Sequence, residues 1–239
     1  MTKHTLGLAL SGGGARGIAH IGVLRVLERE GIKIDYLAGT SMGGVIAAGF
    51  AAGLTSRELE RITTDTTRRR GMLRLADPGL PNGGVIRGQR LLSFFKNVFG
   101  EMEFAQLKIP LALVAVDLNS NKEVVFREGL VTVALRATTS IPGVFMPLEL
   151  NDQRLVDGGL LNNMPVDVAR DMGADRVFAV DIGLDTEERA FHWLDHRRWV
   201  PAGLANSFNT LEETIYTMWL VGHENKLRQF PPDLLITPS

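Results

Sequence analysis

Cysteine is absent from this sequence of 239 residues. That excludes a disulfide framework, a thiolate nucleophile and any Cys-ligated metal site. An excess of one charge is also lacking: 26 Lys and Arg stand against 27 Asp and Glu, for a formal net charge of -1. Nucleic-acid binding rests on a clustered positive surface that releases counterions, so no nucleic-acid partner is expected. Long apolar runs are missing as well. The stretch Leu6 to Leu10 is too short to span a bilayer and runs at once into glycines, so it reads as a first buried strand and not as a signal peptide. With no targeting pattern, cytoplasmic residence is the expectation. Internal repeats, low-complexity segments and linkers are missing too, and the 45% of hydrophobic residues suffice for one large core, which predicts a single domain over residues 1–239.

What is present is an alternation of strand-like and helix-like segments. Leu6, Leu8 and Leu10 lie in a short apolar run, followed by a glycine-rich turn over Ser11 to Gly14. Ile18, Ile21, Leu24 and Leu27 then recur at near-helical spacing up to Gly31, a residue suited to ending a helix. Ile32 to Ala38 reads as a second strand, Gly39 to Gly43 as a turn, and Gly44 to Ala52 as a small-residue helix. Further on, Leu111 to Val116 and Arg176 to Val180 are buried strands that end at Asp117 and Asp181, and Val124 to Phe126 is a hairpin neighbour of the first of these. Val131 to Arg136, Val166 to Met172 and Thr210 to Asn225 read as helices, Pro142 to Pro147 as stiff and non-helical, and Leu234 to Thr237 as an edge strand. Short strands alternating with helices predict an α/β fold with a mostly parallel sheet covered on both faces. Residues 55–105 are less regular: a basic run at Arg68 to Arg70, turns at 77–84, and an apolar cluster from Leu91 to Phe99. That segment reads as core packing with a solvated basic face, or as a cap and channel wall over an apolar substrate.

Two turns carry chemistry. Gly39-Thr40-Ser41-Met42-Gly43 stands where an apolar strand gives way to a helix. A sharp turn there lifts a serine clear of the sheet, and the crowding asks for glycine at Gly39 and Gly43. The helix that follows points unpaired N–H groups at the reacting centre. The other turn, Ser11-Gly12-Gly13-Gly14-Ala15-Arg16-Gly17, can curl into a nest of N–H groups that holds a phosphate or an oxyanion. Gly12, Gly14 and Gly17 also fit a dinucleotide pattern, which wants an acidic residue at the end of the second strand. The nearest, Asp35, falls near that strand's beginning, so the nucleotide reading is disfavoured and no cofactor is expected. Of the five histidines, His4 stands near the start, His20 lies early in the first helix, His192 and His196 flank Trp193, and His223 is in the last helix. Asp157 with His192, His196 or His223 could formally supply a triad, but these three read as surface or packing residues, and His20 as one that packs or hydrogen-bonds locally. Asp157 leaves a strand into Gly158-Gly159, where a carboxylate can approach a serine hydroxyl, although spacing alone does not pair them.

The ordered set Gly12-Gly13-Gly14-Ala15-Arg16-Gly17 with His20 to Leu24, Gly39 to Gly43, Ala137 to Pro147, and Asp157-Gly158-Gly159 with Asn163 and Pro165 resembles the bacterial patatin-like phospholipases. That family is related to the catalytic domain of neuropathy target esterase. The resemblance implies a three-layer α/β/α sandwich and a Ser–Asp dyad without histidine: Ser41 as nucleophile, Asp157 as general base, and an oxyanion hole at the Gly13 and Gly14 N–H groups. Gly12, Arg16 and Gly17 would support that loop and the substrate. It implies an acyl-enzyme hydrolase of the phospholipase A or lysophospholipase type, with no cofactor and no metal. None of the motif residues departs from the family pattern. Asp117, Asp181 and Asp185 lack the spacing of a calcium loop and read as caps or turns.

Phe191 to Trp199 mixes aromatic and basic residues, which suits transient contact with a lipid surface at the inner membrane face and equally suits packing or a dimer contact. The competing functions are a carboxylesterase or thioesterase with little phospholipid activity, a nucleotide-dependent oxidoreductase, and a non-catalytic regulatory or membrane-binding scaffold.

Overall fold

The computed structural model describes residues 4–67, 75, 77, 84–183 and 202–238. The basic run at Arg68 to Arg70, most of the turns at 77–84, Asp185, His192, His196 and the Phe191 to Trp199 stretch fall outside them.

Strand β1 (Leu6–Leu10) leads through a 3-10 turn (Gly14–Ile18) into helix α1 (Ala19–Arg29); β2 (Tyr36–Thr40) leads directly into α2 (Ser41–Ala51), followed by α3 (Ser56–Thr67). Then come β3 (Gly84–Ile86), α4 (Gln89–Phe99), β4 (Leu111–Asp117), β5 (Lys122–Phe126) and α5 (Val131–Thr138). The chain goes on through β6 (Gly143–Phe145), β7 (Leu148–Leu150), β8 (Gln153–Asp157) and a 3-10 turn (Gly158–Leu160). It closes with α6 (Val166–Asp171), β9 (Arg176–Val180), α7 (Ala202–Gln229) and β10 (Leu234–Ile236). Strands β10, β9, β1, β2 and β4 lie side by side and parallel, while β5, β7 and β8 join antiparallel. β3 and β6 form a separate two-stranded ribbon.

Side-chain alternation along the strands builds the layers. In β1, Leu8 and Leu10 enter one core with Leu24, Ile46, Phe95 and Leu135. Ala9 enters the opposite core with Ala38, Ala112, Met164, Ala169 and Val177. A parallel sheet cannot leave either face to water, and helices cover both. The result is the expected α/β/α sandwich, with a mixed but mostly parallel sheet.

One detail of topology positions the site. β4 has three partners but only two edges. β5 pairs with it along Leu113 to Asp117, overlapping both the β2 pairing at Leu111 to Val114 and the β8 pairing at Ala115 to Asp117. β2 and β8 therefore share one edge and meet head-on, with Thr40 opposite Val114 and Asp157 opposite Ala115.

Some boundaries differ from the sequence reading. The second strand starts at Tyr36, not Ile32. After Gly31, at φ 66, the chain loops so that Asp35 can exchange hydrogen bonds with Leu6: its carboxylate accepts the Leu6 N–H at 3.0 Å and its own N–H reaches the Leu6 carbonyl at 2.8 Å. That strand also runs on through Gly39 and Thr40, so no five-residue turn separates it from the helix. The last helix is longer than the apolar pattern between 210 and 225 suggested. The Pro142 to Pro147 segment is non-helical as expected, although β6 lies within it. Leu234–Ile236 pairs parallel to β9 at the sheet's edge.

Candidate active site

Ser41 is the first residue of α2 and has φ 53. A non-glycine residue held in the left-handed region costs about 1–3 kcal/mol and persists only where its surroundings fix it. Two contacts do so. The Ser41 N–H donates to the Thr138 hydroxyl at 2.8 Å, and that hydroxyl donates to the Val114 carbonyl. Gly43, two residues on, lies so close to the carbonyls of Leu10 and Ser11 that any Cβ would run into them. Glycine there lets the start of α2 press against the end of β1, with the N–H end of the helix turned toward the site. Gly39 occupies the strand side of the same crowded bend, against Gly44.

Asp157 is fully buried at the end of β8. Its N–H donates to the Ser140 carbonyl at 2.9 Å, and its Oδ1 accepts the Gly159 N–H at 2.8 Å. Oδ2 has no full hydrogen bond. Burial pushes the carboxyl pKa up to about 7, opposed by the Ser41 hydroxyl and the Gly159 N–H, which both favour the charged form. Ser41 thus acts on this carboxylate from the facing strand end. A base with a pKa near neutrality, beside a hydroxyl at a helix N-terminus, is an arrangement suited to activating a nucleophile.

The glycine loop borders the same spot. Gly12 donates its N–H to the Asn163 carbonyl at 3.1 Å. The N–H groups of Gly13 and Gly14 make no hydrogen bond among the described residues. Gly13 packs on Ile182 and Gly17 on Met42, the residue after Ser41. Arg16 is half-buried in the turn that follows. The Ser41 N–H is already taken by Thr138, so the donors near Ser41 are the N–H groups of the glycine loop and those at the start of α2. Asp35, the residue a dinucleotide would have needed, lies at the start of β1 and β2, the opposite end of the sheet.

The other titratable groups hold the frame. His20 is buried with Nε2 2.8 Å from the Ser11 carbonyl, and burial pushes its pKa down to about 4. His223 pairs with Asp181 at 2.8 Å. Burial raises the Asp181 carboxyl, but His223 and the Gly183 N–H outweigh this and bring it below its usual value. Asp117 caps its turn by accepting from Ser120, Arg154 and Asn119. Leu91, Phe95 and Phe99 face the main core, while Leu92 lines a cavity of about 570 Å³ with Arg87, Gln89, Arg136 and 146–149. That cavity touches neither Ser41 nor Asp157. Sequence reasoning missed the roles of Thr138, Ser140 and Trp219, whose ring packs near Gly159. Only Thr138 and Ser140 had a signal, as part of the segment Ala137 to Pro147.

Comparison with known proteins identifies the family. Residues 8–170 match the family described as patatin-like phospholipase. An uncharacterized NTE family protein of Mycobacterium tuberculosis is 39% identical over 175 residues, covering 73% of this chain and 48% of that protein. Patatin-like phospholipase domain-containing protein 6 of Mus musculus is 33% identical over 198 residues, covering 78% of this chain and 14% of that protein. The chain thus spans about half or less of the length of these relatives. Among solved structures, VipD from Legionella pneumophila shares the fold, with a TM-score of 0.60 at 14% identity over 78% of this chain and 51% of that one. By the family match and by this degree of identity, the chain belongs to the patatin-like phospholipase family.

Proposed function

We propose that the chain is a serine acyl-ester hydrolase of the phospholipase A or lysophospholipase type, working through Ser41 and Asp157. The observation that carries this reading is the head-on meeting of β2 and β8, which brings a buried carboxyl with a pKa of about 7 against a serine at a helix N-terminus. Family membership supports lipid acyl esters as the substrate class. Peripheral contact with the membrane's inner face from a cytoplasmic position belongs to the same proposal. No helix among the described residues is long and apolar enough to cross a membrane.

In the first step the Ser41 Oγ attacks the ester carbonyl while Asp157 takes its proton. The carbonyl oxygen becomes an oxyanion held by the Gly13 and Gly14 N–H groups. Collapse breaks the bond to the leaving alcohol, which takes the proton back from Asp157, and an acyl-Ser41 ester remains. Water then attacks that ester, again giving its proton to Asp157, and the carboxylic acid leaves as Ser41 Oγ is reprotonated. Polarity, positioning and one proton carrier suffice, and no histidine takes part.

The test is the hydrolysis rate on short-chain nitrophenyl esters and on lysophospholipid for wild type, Ser41→Ala and Asp157→Asn, each shown to be folded. Both variants are expected to lose at least about 10³-fold in kcat, as do other members of a catalytic unit. The ratio between the substrates separates a phospholipase from a general carboxylesterase or thioesterase. Turnover that survives Ser41→Ala contradicts the mechanism and favours a scaffold that works by binding.

A further inference from the structure

Asn163 belongs to the segment that follows Asp157, yet the mechanism above does not use its side chain. It lies on the loop between the Gly158–Leu160 turn and α6, and only 3% of it is exposed. Its backbone carbonyl holds the Gly12 N–H at 3.1 Å, so this loop and the glycine loop are tied together. The side chain fills the gap between them. A Cβ on Gly12 would overlap Asn163 Oδ1 and stand 3.2 Å from the Ser41 Cβ. A Cβ on Gly159 would stand 3.1 Å from the same Oδ1 and 3.2 Å from Asp157 Oδ1. The carboxamide oxygen thus borders the same small space beside Gly12 and Gly159 that Ser41 Cβ and Asp157 Oδ1 border.

Its hydrogen bonds are missing. Nδ2 is buried and donates to no described group. Neither neighbouring glycine serves Oδ1, because the Gly12 N–H goes to the Asn163 carbonyl and the Gly159 N–H to Asp157. The adjacent Asn162 differs in its donor: its Nδ2 donates to Glu123 at 3.0 Å and to Asp167 at 2.9 Å, although its Oδ1 is likewise unpaired. Folded chains rarely leave a buried amide donor unpaired, and an exception beside a reacting serine points to a partner that arrives with the substrate. The terminal torsion of an asparagine is broad and roughly two-fold, so a half-turn brings Nδ2 to the side nearest Ser41 without breaking a bond made by Oδ1.

We propose that Asn163 is a further catalytic residue, whose carboxamide donates a hydrogen bond to the ester oxygen as it becomes the oxyanion on Ser41, beside the Gly13 and Gly14 N–H groups. This rests on the Ser41–Asp157 reading. The bond strengthens as charge develops, so its loss falls on kcat and not on KM.

The experiment compares folded wild type, Asn163→Ala, Asn163→Asp and Ser41→Ala on a nitrophenyl ester across pH, with melting temperatures recorded alongside. Asn163→Ala is expected to lower kcat by about 10²–10³-fold, as loss of a side-chain oxyanion donor does. KM is expected to move by less than about threefold. The melting temperature is expected to change little, because removal of the orphan donor offsets the gap that truncation leaves. Asn163→Asp keeps the shape, removes the N–H donors and adds a charge beside Asp157; it should lower kcat further and move the acidic limb of the profile to higher pH. A merely structural asparagine would destabilise the fold on substitution and leave kcat of the folded Asn163→Ala near wild type, whereas the limb moves with the added charge of Asn163→Asp in either case. Near-wild-type kcat in both variants on the plateau above the limb overturns the role of Asn163 while Ser41→Ala stays inactive. Should Asn163→Ala fail to fold, Asn163→Asp decides alone. Activity in Ser41→Ala, or none in wild type, removes the dyad reading and this inference with it.

Discussion

Asp157 is where stability and chemistry oppose each other. Its folded pKa, about 7, lies above the unfolded value of 3.8. Between those values the folded chain binds more protons than the unfolded one, so this group makes stability fall as pH rises, and the penalty is complete above pH 7. Catalysis has the opposite sign, since the base must be ionised. The account predicts a kcat/KM profile whose acidic limb bends at pH about 7, dropping about tenfold per unit below it. It also predicts that inactive Asp157→Asn is more stable than wild type at pH 8, by up to about 2–4 kcal/mol, with the difference vanishing near pH 4. Denaturant titrations at the two pH values check the sign. At this scale the sequence was most legible for Ser41, Gly39 and Gly43, because a strand-to-helix bend constrains residues that are neighbours in the chain. The partnership of Ser41 with Asp157 came from family resemblance. Nothing local records that two strand ends will face each other, and the placement of Asn163 beside them needs the same long-range register.

The element that makes the site rigid is α5 together with the residues just after it. Thr138 holds the Ser41 N–H, and the Ser140 carbonyl holds the Asp157 N–H, so one short span grips both residues of the proposed dyad. Arg136, buried in the same helix, bonds the carbonyls of Arg87, Gly88 and Met146 and the Ser140 hydroxyl, fixing that span to its surroundings. Thr138→Val keeps the shape but orphans the Ser41 N–H and the Val114 carbonyl. It is expected to cost about 1–3 kcal/mol of stability. A drop in kcat of about 10–100-fold should accompany it through loss of alignment, with KM little changed. Urea unfolding and steady-state kinetics on one preparation read both effects. Helix α5 was legible from its pattern, but its grip on Ser41 and Asp157 was not, because a threonine hydroxyl and a backbone carbonyl carry no periodic signal. The start of β2 was misplaced for a related reason: Ile32 and Ile34 look like strand residues, yet the bonds between Asp35 and Leu6 fix the strand's entry later.

On the scale of the whole molecule, the alternation of strands and helices was enough to anticipate two cores around a mostly parallel sheet. It did not reveal that β8 runs antiparallel and abuts β2 along the edge of β4, the feature on which the site depends. Parallel strands deliver the glycine loop and Ser41 to one end of the sheet, and the reversed strand β8 delivers the carboxylate to the same end from the other direction. α7 then closes the far side, with Trp219 near Gly159 and His223 on Asp181. The most direct measurement of the central claim is peptide mass spectrometry of the protein quenched in acid during turnover of an activated ester. The account predicts an acyl adduct on the peptide containing Ser41, present in wild type and missing from both Ser41→Ala and Asp157→Asn. An adduct on another residue, or undiminished adduct formation in Asp157→Asn, would contradict it.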